Sequence, residues 1–182
     1  MSQIIIPNPE RKRALFIIDV QPGFIQPEHK ELVPNIKKLI NEGGYDLFVV
    51  AEFRALKGTH WDKQMQWTFP HAPTPKEIMD ILDPKKTIQV IKNTRSVFMM
   101  KPYLAADLRM QDIEEIHVVG YDINDCVLSN ANDAFDLGFY SYVLEEASES
   151  SESSALREAA LTILRENEMT NHSELIENKQ VI

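Results

Sequence analysis

Five short apolar runs punctuate the chain, separated by stretches whose apolar residues recur at helical spacing. The first, Ala14-Leu15-Phe16-Ile17-Ile18, stops at Asp19 and is apolar on both faces, the pattern of a central parallel strand covered by helices. Leu47-Phe48-Val49-Val50-Ala51, Ile88-Gln89-Val90-Ile91, Ile116-His117-Val118-Val119 and the run from Tyr140 to Leu144 follow. Between them, Ile36, Leu39 and Ile40 mark a helix stopped by Gly43-Gly44. Thr74-Pro75-Lys76-Glu77 predicts a capping box, followed by a buried stripe of Ile78, Ile81 and Leu82 and a stop at Pro84. Further helices are predicted over residues 104–108 and from about Asn124, with Val127, Ala131, Ala134 and Gly138 on one side. Another runs through Leu156, Ala160, Ile163 and Leu164, and a weaker one over residues 173–178. Strands alternating with helices predict an α/β fold with a mostly parallel sheet in three layers, formed by one domain over residues 1–182.

Composition narrows the function classes. The formal net charge of −9 disfavours nucleic acid and anionic membrane surfaces as partners, because both are polyanions. No apolar run approaches the ~20 residues of a membrane span, and the start, MSQIIIPNPERKR, does not resemble a signal peptide. The single cysteine, Cys126, excludes an intrachain disulfide and a cysteine-built zinc site, and a lone thiol fits a reducing cytoplasm.

In open parallel sheets, ligands bind beyond the carboxyl ends of the strands. Asp19 ends the first run, Lys92 follows the third, and Cys126 lies just past the fourth, in Gly120-Tyr121-Asp122-Ile123-Asn124-Asp125-Cys126-Val127. A helix capped by Asn124 or Asp125 would place Cys126 in its first turn, where the positive helix end and Lys92 favour a thiolate nucleophile. Asp19 is then a candidate proton acceptor, and backbone N–H groups of the turn, those of Ile123 and Cys126, a candidate oxyanion hole. Taken singly, each residue has a plainer reading: a small buried hydrophobe, a turn former, a solvated surface charge. The placement of all three at strand ends is what raises the catalytic reading.

These residues also carry a resemblance. Leu15-Phe16-Ile17-Ile18-Asp19-Val20-Gln21-Pro22-Gly23-Phe24 resembles the opening strand of the isochorismatase-like cysteine hydrolases, which include nicotinamidases. Lys92-Asn93-Thr94-Arg95-Ser96-Val97-Phe98 resembles their lysine segment. Residues 120–127, with Asn130-Ala131-Asn132-Asp133-Ala134 and Gly138, resemble their nucleophile turn and helix. The resemblance implies a Rossmann-like fold around a six-stranded parallel sheet and a triad of Asp19, Lys92 and Cys126. It implies a covalent thioester or related adduct when amides are cleaved, and a non-proline cis peptide, placed here between Asp122 and Ile123. A homo-oligomer is implied too, because relatives commonly assemble.

The small-molecule substrate pocket is then expected to be walled by Phe24, Trp67 and Phe98, with Arg54, Arg95 and Tyr121 as polar contacts and Arg54 as a partner for a substrate carboxylate. Trp67 and Phe69 read equally as core or interface residues. Nicotinamidases follow the second strand with an Asp-x-His metal cluster. Here the aligned positions are Arg54 and Leu56, neither of them a zinc ligand, so the metal-free, cofactor-free branch is the better match. A relocated site of Glu52, His60 and His71 is the remaining metal reading. Two other classes compete with a hydrolase of small amides or related C–N and ether bonds. One is a non-catalytic binding or scaffold protein on the same fold, motivated by the altered second-strand loop and Ile123. The other is a signalling receiver, disfavoured by chain length and by an aspartate on the first strand.

Overall fold

The computed structural model describes residues 2–182; Met1, part of the start read as unlike a signal peptide, lies outside them. Five strands, β2 (Arg13–Ile18), β3 (Leu47–Phe53), β4 (Thr87–Lys92), β5 (Glu115–Gly120) and β6 (Tyr140–Ser148), form one sheet in the order β4-β3-β2-β5-β6. Every pairing in it is parallel. Side chains of β2 alternate between two cores. Ala14, Phe16 and Ile18 enter one with Val127, Ala131 and Leu164, while Leu15 and Ile17 enter the other with Ile36, Leu39 and Ile78. That alternation makes the three-layer arrangement read from the doubly apolar run.

The sheet has five strands, not the six expected. Two short strands, β1 (Ile5–Pro7) and β7 (Lys179–Val181), pair antiparallel in a separate sheet that joins the two ends of the described chain. Neither has a readable pattern: β1 is cut short by Pro7, and β7 is exposed along its length. Residues 173–178, expected to be helical, form turns that lead into β7.

Helices α1 (Leu32–Glu42), α2 (His60–Met65), α3 (Lys76–Met79), α4 (Val97–Met100), α5 (Leu104–Met110), α6 (Leu128–Asp136) and α7 (Ser154–Glu166) complete the fold. The capping box does not form: α3 begins after Pro75 without a side-chain cap. Thr74 instead donates its N–H to Glu52 at 2.7 Å, which anchors the approach to the helix. On α7 the buried face is Ala160, Leu161 and Leu164; Leu156 and Ile163, expected in the stripe, are exposed. Ser153 caps α7 by accepting from the N–H of Leu156.

Candidate active site

Strand order decides which chain segments meet. The chain runs from β2 outward through β3 to β4, then returns to place β5 on the other side of β2. The carboxyl ends of β2 and β5 therefore lie side by side at the topological switch point, where α/β sheets bind ligands. Asp19 leaves β2 there with φ +52, the left-handed region that costs a non-glycine residue about 1–3 kcal/mol. Its N–H donates to Ala51 at 2.9 Å and its carbonyl accepts from Gln21 at 2.8 Å, so the conformation is held from both sides. Gly120 ends β5 with φ +114, and a Cβ there would lie 2.1 Å from the Ile18 carbonyl oxygen. Only glycine allows that approach.

Lys92 ends β4, two strands from Asp19. Neighbouring strands are about 4.8 Å apart, so a short side chain would not cross the intervening β3. The lysine stem does: Nζ donates to Asp19 Oδ2 at 2.6 Å and to Cys126 Sγ at 3.4 Å, and lies 5.0 Å from the Phe53 ring centre. Cys126 sits in a π-helical turn, Ile123–Val127, of the kind that recurs at functional sites. The three groups expected to meet from distant strand ends are thus in contact, and each is buried.

The charge states differ from the expectation for Cys126. Burial, together with the Asp19 charge, pushes its thiol well above the ordinary range, against the pull of Lys92. That direction opposes the thiolate that the helix end and Lys92 were expected to favour. Asn124 and Asp125 do not cap the following helix either. The residue before the turn is Asp122, and its carboxylate accepts from the N–H and hydroxyl of Ser151, while Asp125 pairs with Arg95. Burial pushes Asp19 up to about 6, against the pull of Lys92. Burial opposes the Lys92 charge as well, but Asp19 and Cys126 more than offset it and raise Lys92.

The cis peptide joins Tyr121 and Asp122, one bond earlier than expected. The Ile123 N–H, expected in an oxyanion hole, donates to the Glu149 carbonyl at 2.9 Å. A polar frame not anticipated from the sequence fixes these segments. Asn130 accepts from the Val97 N–H at 3.0 Å and donates to the carbonyls of Arg95 at 3.1 Å and Cys126 at 2.8 Å, tying the lysine loop to the nucleophile turn. The Gln21 amide brackets Phe53, accepting from its N–H at 2.7 Å and donating to its carbonyl at 3.1 Å. Both residues lay in the motif blocks, which was the available signal.

Asp19 and Cys126 open onto a cavity of about 500 Å³. One wall is aromatic: Phe24, Phe53, Trp61, Trp67 and Phe69. The segment between β3 and α3 supplies Trp61, Trp67 and Phe69 to this wall by folding back on itself, with Ala55 and Phe69 exchanging hydrogen bonds at 2.8 and 2.9 Å. Phe24 stacks on Phe69 with ring centres 4.4 Å apart, and Phe53 on Trp67 at 5.6 Å. The opposite rim is polar, formed by Asp122, Asp125, Ser151 and Glu152.

Phe24 and Trp67 therefore border the cavity as expected, and the other four candidates do not. Phe98 is buried against Phe16, with ring centres 5.7 Å apart. Tyr121 has no exposure and its hydroxyl meets His29 Nδ1 at 2.9 Å, on the other side of the sheet from Cys126. Arg54 is exposed outside the cavity. Arg95 borders a neighbouring cavity, bound to Asp125 and lying over the Trp61 ring at 4.7 Å. Phe53 and Trp61 were not among the expected wall residues: Phe53 ends β3 just past its apolar run, and Trp61 lies in a fold-back that has no sequence period.

The donor set does not fit the metal of nicotinamidases. Glu52 is engaged by His71 at 2.6 Å and by the Thr74 N–H at 2.7 Å, while His60 lines the neighbouring cavity. Among the described residues, no three His, Cys, Asp or Glu side chains converge as a metal site. No helix among them is long and apolar enough to cross a membrane.

Comparison with known proteins bears on the fold and the family. No curated protein matches the chain. Among solved structures, the pyrazinamidase of Pyrococcus horikoshii in complex with zinc is similar at 21% identity, over 87% of this chain and 97% of that one, with a TM-score of 0.69. Nicotinamidase from Bacillus subtilis is similar at 23% identity, over 85% and 94%, with a TM-score of 0.70. An isochorismatase-like hydrolase from Alkaliphilus metalliredigens is similar at 20% identity, over 88% and 93%, with a TM-score of 0.71. At these identities the likeness establishes the shared fold. The family model for the isochorismatase domain matches residues 13–174, and the chain belongs to the isochorismatase family of hydrolases.

Proposed function

We propose that this protein hydrolyses a small-molecule amide, or a related C–N bond, through a covalent intermediate on Cys126. The observation that carries the reading is the buried contact of Lys92 with both Asp19 and Cys126 at the mouth of the aromatic cavity. Asp19 takes the thiol proton as Sγ attacks the substrate carbonyl carbon. It then returns that proton to the nitrogen as the C–N bond breaks and the amine leaves. Water, deprotonated by Asp19, next attacks the thioester. The C–S bond breaks, the carboxylic acid product departs, and the sulfur regains a proton from Asp19. Lys92 holds the Asp19 carboxylate in place and offsets negative charge on sulfur. The oxyanion is assigned to backbone N–H groups of the turn that include that of Cys126, the Ile123 N–H being committed to Glu149. The upward shift of the thiol suits this sequence, because the proton that leaves sulfur is the one the departing amine needs.

The test is ammonia or amine release from a panel of small amides, with mass-spectrometric detection of an adduct on Cys126. Asp19→Asn and Lys92→Ala should each abolish turnover and adduct. Turnover that survives either change would end the reading. A binding protein on the same fold is the second reading, favoured by the committed Ile123 N–H; ligand-induced thermal shifts without turnover of any ligand would support it.

A further inference from the structure

Resting on the hydrolase reading above, we infer that the cavity accepts amides or related C–N compounds carrying a positive charge and discriminates against anionic ones. The charged side chains lining it are Asp19, Asp122, Asp125 and Glu152, and among the described residues no lysine or arginine lines it. The cations near it are all otherwise placed. Lys92 is fully buried against Asp19, Arg95 is bound by Asp125 and borders the neighbouring cavity, and Arg54 is exposed outside. Asp19 and Asp125 are offset by Lys92 and Arg95, so a substrate carboxylate entering here would meet chiefly Asp122 and Glu152, with no cation lining the cavity to receive it.

One further feature favours a cation independently of the carboxylates. In the aromatic wall, Phe53 and Trp61 already face Lys92 and Arg95, at 5.0 and 4.7 Å from the ring centres, whereas among the described residues no cation lies over Phe24, Trp67 or Phe69. Ring faces attract cations, more strongly where water is excluded. Asp19 Oδ1 is also buried beside the cavity and, apart from the Cys126 thiol, meets no donor of the protein. A substrate N–H, charged or neutral, can supply one, which fits an amide without itself selecting a cation.

The experiment measures binding apart from catalysis. Both tryptophans of the chain, Trp61 and Trp67, line the cavity, so intrinsic fluorescence reports its occupancy. The Cys126→Ser variant is titrated with three ring amides of similar size: 1-methylnicotinamide, a cation; nicotinamide, neutral; and 3-carbamoylbenzoate, an anion. At low salt the cation should bind at least about tenfold more tightly than the neutral amide and about a hundredfold more tightly than the anion, with the advantage shrinking as salt screens it. Glu152→Lys, at an exposed position that tolerates substitution, should reduce the cation preference several-fold. Neutral or anionic amide binding as tightly as the cation, or no binding of the cation up to about 10 mM, would overturn the inference. Absence of wild-type turnover would instead count against the hydrolase reading and leave this binding order standing.

Discussion

Lys92 and Asp19 face each other at 2.6 Å with at most 1% of either side chain open to solvent. Removing one member of such a pair leaves an uncompensated buried charge, at a cost of about 3–5 kcal/mol. Lys92→Ala should therefore lower the unfolding free energy by that amount in urea titrations. The double variant Asp19→Asn/Lys92→Met, which buries no net charge, should recover most of the loss. A double variant as unstable as the single one would show that packing of the lysine stem, not charge pairing, sets the cost.

Asp19 connects pH to both activity and stability. Its carboxylate form is the proton acceptor, so kcat/KM should rise with pH along an acid limb centred near 6. The stability effect has the opposite sign. A carboxyl whose folded value is raised above its unfolded value binds its proton more tightly in the native state. Its stabilisation is full below about pH 4 and is lost as pH rises through about 6, a change on the order of 2 to 3 kcal/mol. Chemical denaturation at several pH values, wild type against Asp19→Asn, isolates this contribution: the difference between the two should drift across that window and be flat above it.

Asn130 joins the two loops that carry Lys92 and Cys126. Asn130→Ala strands buried partners and should cost about 2–4 kcal/mol. Asn130→Asp keeps the acceptor for the Val97 N–H but loses both donations, so its loss of turnover should exceed its loss of fold. Adduct formation rates on Cys126, compared with thermal unfolding, separate the two effects.

Gly120 admits no side chain, since a Cβ would press on the Ile18 carbonyl oxygen at 2.1 Å in a left-handed conformation. Gly120→Ala should destabilise by about 3 kcal/mol or more. Circular dichroism melts measure this directly.

Glu52 is occupied by His71 and the Thr74 N–H, and positions 54 and 56 hold arginine and leucine. Turnover should be unchanged after exhaustive chelation and unaffected by added zinc. Loss of activity on chelation, restored by zinc, would refute this. Glu52→Ala, which frees two donors, should cost about 1–2 kcal/mol of stability.

Much of the scaffold was legible in the order of residues. A doubly apolar run ending in aspartate states a covered parallel strand with its functional end, because side chains on a strand alternate between two buried faces. Asp19, Lys92 and Cys126 were named for that reason, and they meet. The pocket wall was less legible. Phe24 and Trp67 line it, but Phe98, Arg54, Arg95 and Tyr121 do not, because neighbours in sequence at a strand end diverge to opposite sides of the sheet or into solvent. Phe98 follows Lys92 closely yet turns into the core as α4 begins at Val97.

The sequence alone therefore determined the five strands of the main sheet, the parallel α/β class and the chemical identity of the three converging groups, all of which follow from hydrophobic period and residue type. Only the tertiary structure decided the direction in which the thiol is shifted, the five-strand order, the pairing of β1 with β7 and the composition of the cavity. Those depend on which distant surfaces exclude water from one another. Burial, which raises Cys126 and Asp19 against the pull of Lys92, is a property of the assembled fold and is written in no single segment.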